Sequence, residues 1–342
     1  MKENTSSQVL AILETVILAL SINKFVYACG NLLALLLLTH SVCYGSSTPA
    51  EPGSKSPWFT GPLLTPTAFT LPPGVGNVEP YVFWKVTNGV YNKEWNQSSV
   101  PHLYRLNPQF TYKFGLVENI DFSGTIESVA GWTKGASGVS FGDLPIGFGI
   151  QLFELDPGDD VALCKLTIQE TFPTGRYQKL NPRKYRTDIG GEGSFATQVG
   201  ICFSKQFKFK NDRFFRGRLF LSSTYSAPVH VRGFNVYGGD ATTKGTVYPG
   251  FSHTLLTSGE YTVTKNWTLA CDLQASYSDK QRFSGRTQSP NIALQSLQFS
   301  LAPAIEYNWN EQIGVIVGPW FTFAGRNSKR FISAVAAVNY NF

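Results

Sequence analysis

Twelve stretches of this chain read as strands, several of them alternating apolar and polar side chains residue by residue, and the connections between them alternate too, short then long, to the end. The stretches run over approximately 79–90, 102–116, 120–132, 141–154, 161–172, 194–208, 214–227, 246–263, 266–278, 295–309, 312–324 and 331–342. In 266–278, Trp267, Leu269, Cys271, Leu273, Ala275 and Tyr277 share one face, and Thr268, Asp272, Gln274 and Ser276 the other. The same two-sidedness sets Leu297, Phe299, Leu301, Ile305, Tyr307 and Trp309 against Gln298, Ser300, Glu306 and Asn308. A period of two is the strand period. The short connections are 117–119, 155–160, 211–213, 265 and 310–311; the long ones are 91–101, 133–140, 173–193, 228–245, 279–294 and 325–330. A soluble all-β chain has no reason to alternate in this way. A transmembrane barrel has: short turns on the periplasmic side, long loops outside, and an even number of strands. The expected fold is all-β, a transmembrane antiparallel up-and-down β-barrel of about 12 strands. The first strand rises and the last descends, which leaves Phe342 in the periplasm.

Composition agrees. Only 15 % of residues are charged, whereas Phe, Tyr, Trp and Gly are abundant, as many strands joined by turns require. Counting back from Phe342, Tyr340, Val338, Ala336, Ala334 and Ile332 form an apolar face. Val338, Tyr340 and Phe342 resemble the terminal signal by which the barrel-assembly machinery receives outer-membrane proteins. Three features resist the scheme. Pro108, Pro303 and Pro319 fall inside strands, where a missing N–H breaks a ladder bond. Glu170 lies on the nominal lipid face, so its strand shifts parity or leaves the hydrocarbon before it. The 246–263 stretch is long and alternates poorly, and ten or fourteen strands stay open as alternatives.

The first 45 residues have the layout of a signal peptide: Lys24, the apolar run 32–38, then small residues at Cys43, Gly45 and Ser46, with cleavage after Gly45. Residues 1–23 are then an upstream extension. The rival, a membrane anchor helix, needs a span of about 20 residues, longer than this run. Export to the bacterial outer membrane follows. Residues 46–78, rich in Pro, Gly, Ser and Thr, form an N-terminal arm, and 79–342 the barrel. Cys29 and Cys43 fall in the leader; Cys164, Cys202 and Cys271 are too isolated for a disulfide framework or a zinc site. The net charge of +6 is dispersed, which argues against nucleic acid as a partner.

With the apolar faces toward lipid, Lys85, Arg105, Lys113, Asp121, Glu127, Lys165, Arg216, Arg218, Asp272 and Glu306 point into the lumen. Such charges either set ion selectivity or pair and knit the interior shut; twelve strands lie between filled eight-strand barrels and wide porins. The basic residues come from the first seven strands, Asp272 and Glu306 from later ones, which suggests opposite walls of a constriction. Neutral replacement of Arg105 or Arg216 then lowers anion preference. The loop 173–193 carries Arg176, Lys179, Arg183, Lys184 and Arg186 against Asp188 and Glu192. It either meets anionic lipopolysaccharide, draws anions to a pore mouth, or is a solvated loop. The arm's Trp58, Phe59, Leu63, Leu64 and Phe69 favour docking, within the barrel as a plug or beneath it. No catalytic, cofactor or metal motif appears: Gly-x-Ser-x-Gly and His-Glu-x-x-His are absent, and Ser252 and His253, as strand neighbours, point to opposite faces.

Five segments carry a family resemblance: Gly-Asp-Leu-Pro-Ile-Gly-Phe-Gly-Ile at 142–150, Gln-Glu-Thr-Phe-Pro-Thr-Gly-Arg-Tyr at 169–177, Asp-Ile-Gly-Gly-Glu-Gly-Ser at 188–194, Ala-Gly-Arg-Asn at 324–327 and Thr-Gly-Pro-Leu-Leu-Thr-Pro at 60–66. Over 60–342 the chain resembles the outer-membrane β-barrel family named for the meta pathway of phenol degradation, itself distantly like the channels for long-chain fatty acids and toluene. The resemblance implies a channel for passive passage of small solutes, including hydrophobic or aromatic compounds, and no catalytic residues. The competing readings are a closed structural or surface-interaction barrel and, third, a lipid-modifying barrel enzyme. Expected partners are outer-membrane lipid and lipopolysaccharide, the assembly machinery and a small solute.

Overall fold

A computed structural model describes residues 58–155, 160–209, 212–286 and 293–342. The leader and residues 46–57 of the arm lie outside the described residues. Twelve strands form the wall: β1 (Gly76–Tyr91), β2 (Gln97–Val117), β3 (Ile120–Thr133), β5 (Leu144–Leu155), β6 (Ala162–Phe172), β7 (Ala196–Lys208), β8 (Phe214–Ser226), β11 (Gly250–Thr262), β12 (Trp267–Ser278), β14 (Ser296–Asn308), β15 (Ile313–Arg326) and β16 (Ser328–Asn341). Each pairs antiparallel with the next along the chain, and β1 closes on β16 from Asn77↔Asn341 to Tyr91↔Ser328. The barrel is therefore closed, antiparallel and twelve-stranded. Above it, β4 (Ala136–Phe141) prolongs the β3 hairpin, and β9 (Val229–Arg232), β10 (Lys244–Tyr248) and β13 (Arg282–Arg286) form a separate three-stranded sheet.

The resisting features resolve physically. The 246–263 stretch is two elements: Lys244–Tyr248 belongs to the outer sheet, Gly250–Thr262 to the wall, and Gly250 makes the break at φ 82°. Pro303 stands opposite Pro319, and the β14–β15 ladder skips from Leu301↔Phe321 to Ile305↔Val317, so both missing N–H groups fall in one gap. Each proline stays paired on its other side, with Cys271 and Ala334. Pro108 sits in a similar skip between β2 and β3, where Asn107 Nδ2 donates to Ser128 O at 2.8 Å instead. Glu170 keeps its parity. It lies near the outer rim, where Thr197 Oγ1 donates to it at 2.5 Å.

The outward face is apolar. Trp84, Phe110, Ile126, Leu269, Val317 and Ile332 are each about half exposed or more, a continuous band that suits lipid rather than water. Aromatic rings gather at both rims, with Trp267–Tyr307–Trp309 and Tyr340–Phe342 at the short-turn end and Phe172–Phe195 and Tyr225–Phe251 at the other. These are the interfacial girdles of a transmembrane barrel. Phe342 exchanges backbone hydrogen bonds with Gly76 at 2.8 and 2.9 Å, and its ring lies where a Gly76 side chain would stand.

Candidate functional site

An extended arm inside a barrel has backbone donors and no strand to pair with, so the wall must satisfy them. Residues 58–75 run through the lower lumen, and wall side chains meet them in turn. Glu306 Oε2 accepts from Thr60 N at 3.0 Å and Gly61 N at 3.4 Å. Asp272 accepts from Leu64 N at 3.3 Å, Thr65 N at 3.0 Å and Thr65 Oγ1 at 2.6 Å. Gln151 accepts from Thr70 N at 2.8 Å and donates to Ala68 O at 3.0 Å; Asp121 accepts from Leu71 N at 3.3 Å. Lys165 donates to Phe69 O, and Cys202 Sγ to Pro66 O at 3.3 Å. Gly115 lies so close that a side chain there would stand 1.9 Å from Pro72 O. Apolar packing completes the seat. Leu63 joins Ala270, Ala302, Ala304, Ile316 and Val335, while Ala68 joins Cys202, Phe220 and Leu256. At the short-turn opening the Arg216 guanidinium lies 3.9 Å from the Phe59 ring centre and the Lys265 ammonium 4.2 Å from that of Trp58.

The lower charges form pairs rather than opposed walls. Lys113 bonds Glu79 at 2.9 Å, Lys165 bonds Asp121 at 2.7 Å, and Glu260, fully buried, receives Arg216 at 2.9 Å and Arg218 at 3.0 Å. Removing one member of such a pair strands its partner in a poor solvent, at a cost of about 3–5 kcal/mol. Glu79, Gln151 and Glu260 are the residues that sequence reasoning missed. Glu260 was hidden by the poor alternation of 246–263; starting the strand after Gly250 puts it in phase with Leu256 and Ser258. Arg216, expected to bias ions, is held by Glu260 and covered by Phe59.

The upper lumen is built differently. The loop 173–193 folds back onto the barrel mouth, and the motif segments meet there. Asp143 accepts from Gly175 N and Glu192 N, each at 2.8 Å; Thr174 Oγ1 donates to Gly142 O; Gly190 N donates to Arg176 O. A side chain at Gly175, Gly190, Gly191 or Gly193 would strike a neighbour within 3 Å. The loop backbone at Thr187 rests on Gly138 of the β3–β4 hairpin. Tyr237 donates to Glu192 O at 2.8 Å, and burial, helped by Asp143, raises the Glu192 pKa against the pull of Lys329 and Arg186. Glu127 accepts from Asn107 at 3.2 Å and Gln109 at 3.0 Å. Lys85 faces Arg105 across β1 and β2. The Lys85 ammonium lies 3.9 Å from the Phe331 ring centre.

His253 stacks between Phe251 and Tyr277 on the outer face, turned away from Ser252. Cys164, Cys202 and Cys271 are free thiols.

Among solved structures the chain is similar to the COG4313 outer membrane channel from Pseudomonas putida F1, with 13 % identity and a TM-score of 0.63 over 86 % of this chain and 100 % of that one. That likeness establishes the fold, which is that of an outer-membrane barrel. Fainter likenesses reach the TodX monoaromatic hydrocarbon channel (10 % identity, TM-score 0.38, 80 % and 91 % covered) and the KdgM porin (10 %, 0.36, 77 % and 99 %). No family model matches the chain, and no curated protein matches it. The meta-pathway resemblance therefore rests on its motifs.

Proposed function

We propose that this chain is an outer-membrane channel for the passive passage of small solutes, delivered by a signal peptide over 1–45 and gated by its own arm. The observation that carries the reading is the seat of residues 58–75. A segment meant only to fill a lumen needs apolar packing, whereas this one is also tied along its length by backbone hydrogen bonds to the side chains of Glu306, Asp272, Gln151 and Asp121, which water can replace one by one. The wall supplies a path and the arm closes its periplasmic half. Asp121, Lys165, Arg216, Arg218, Asp272 and Glu306 hold that floor, with Lys113 beside it; Lys85, Arg105 and Glu127 bias the solute above it. Val338, Tyr340 and Phe342 serve assembly, and the basic loop 173–193 meets lipopolysaccharide at its exposed Lys179 and Arg183. The motif resemblance adds hydrophobic or aromatic compounds as the solute class.

The second reading, a closed structural or surface-interaction barrel, is favoured by the buried ion pairs of the lower lumen. Reversal potentials in a salt gradient separate the two. A channel gives reproducible steps with anion preference, which Arg105→Gln lowers and Arg216→Gln leaves in place. A folded, heat-modifiable barrel that is silent with and without its arm overturns the channel reading.

A further inference from the structure

On the lower wall of the lumen Lys113, Lys165, Arg216 and Arg218 each have a carboxylate at 3.0 Å or less. The upper lumen breaks this rule. Lys85 and Arg105 stand directly opposite each other on β1 and β2, an arrangement that costs stability for like charges. Lys329, two residues above Phe331 on the same inward face of β16, lies in electrostatic reach of both. Among the described residues, none accepts a hydrogen bond or ion pair from the Lys85 ammonium, the Arg105 guanidinium or the Lys329 ammonium. Arg186 of the mouth loop adds a fourth positive charge, tied to Val236 O. Among the described residues, Glu192 is the one carboxylate within electrostatic reach of Arg105, Arg186 and Lys329.

Below these cations the lumen is aromatic. Lys85 lies 5.1 Å from the Trp320 ring centre as well as 3.9 Å from that of Phe331. Trp320 packs edge-on to Phe331 at 4.7 Å and to Phe83 at 6.2 Å, and Phe83 stacks on Tyr81 at 5.7 Å. Phe331 is buried, but Phe83, Tyr81 and Trp320 keep part of their surface open. Cation–π contact holds the Lys85 ammonium in place while leaving N–H donors free. Arg105 offers a planar fork that matches a carboxylate. An inorganic anion would answer the charge and leave the rings unused.

The geometry points to a binding site in the upper lumen for an organic carboxylate with a flat apolar body, its carboxylate held by Lys85, Arg105 and Lys329 and its body on Phe83 and Trp320. The site rests on the channel reading and names the solute class that the channel favours.

Benzoate, acetate and benzylammonium are the probes. Each is titrated onto the full chain in planar bilayers, where block of conductance is read, and onto the detergent-solubilised protein by calorimetry. Benzoate should bind and block about tenfold more tightly than acetate, from the apolar area of its ring, and benzylammonium should do neither. Arg105→Gln and Lys85→Gln should each weaken benzoate by about tenfold, as loss of one charge-assisted bond does; among the described residues Arg105 has no hydrogen-bond or ion-pair partner whose loss would disturb the fold. Phe83→Leu should bring benzoate toward acetate and leave acetate unchanged. Equal action of benzoate and acetate, or equal action of benzylammonium, overturns the proposal. So does a conducting channel that benzoate neither blocks nor binds. Calorimetric binding to a barrel that never conducts upholds the site and fails the channel reading instead.

Discussion

Asp272→Ala removes the busiest anchor of the arm. The wild-type carboxylate is fully buried and takes three hydrogen bonds, from Leu64 N, Thr65 N and the Thr65 hydroxyl. Bonds to a charged acceptor contribute about 1.5–3 kcal/mol each. Against this stands the burial of the carboxylate itself, which costs several kcal/mol and is relieved by the substitution. The net is about 2–3 kcal/mol against docking, a shift of roughly 30–150-fold toward the undocked arm. Cys202 reports it. Its thiol is buried and bonded to Pro66 O of the docked arm, so a water-soluble maleimide reaches it when the arm leaves. In a Cys164→Ser, Cys271→Ser background, Asp272→Ala should raise the labelling rate of Cys202 by a factor in that range. The same protein should show longer open times in a bilayer. Unchanged labelling and unchanged openings would refute the reasoning: the arm would then be held by its apolar packing, and the carboxylate contacts would be incidental.

Other outcomes follow from single contacts. Gly115→Ala forces a side chain to within 1.9 Å of Pro72 O; the arm must shift, at about 1–3 kcal/mol, and conductance should rise without loss of the heat-modifiable fold. Ile126→Lys places a charge on an outward position that is 62 % exposed and should destabilise the folded barrel in lipid by about 2–4 kcal/mol if it sits near the midplane, read as a lowered urea midpoint. Glu192 gives the mouth loop a pH dependence. The side chain keeps exposed surface, but desolvation within the crowded mouth raises its pKa, so the docked loop binds more protons than the free one, and docking is strongest below the ordinary carboxylate range and weakens modestly as pH rises through the raised value. Amide exchange at 187–191, corrected for its intrinsic pH dependence, should therefore quicken with pH, and Glu192→Gln should abolish the trend.

Strand number, order and facing were legible because each depends on a local period and on loop length. The stretches 266–278 and 295–309 correspond to Trp267–Ser278 and Ser296–Asn308 within two residues. What stayed hidden depends on contacts between distant residues. Nothing near Asp272 in sequence says that its oxygens meet Thr65, 207 residues away. Nothing around Pro303 shows that its missing donor is matched by Pro319 on the next strand. The expected separation of basic and acidic walls failed for a similar reason: Glu260 was out of phase until Gly250 was seen to divide its stretch in two. The Gly-rich motifs were visible as motifs. Their physical meaning, glycines that let the 173–193 loop press onto Asp143 and close on its own Tyr177, needed the fold.

The central claim is that residues 58–75 close a passage that the wall leaves open. Single-channel recording of the full chain beside a protein lacking 58–75, both shown to be folded by heat-modifiable mobility, tests it directly. The full chain should give small or brief steps, and larger, long-lived steps should appear once the arm is gone. Identical conductance in the two proteins, or silence from both, would contradict it.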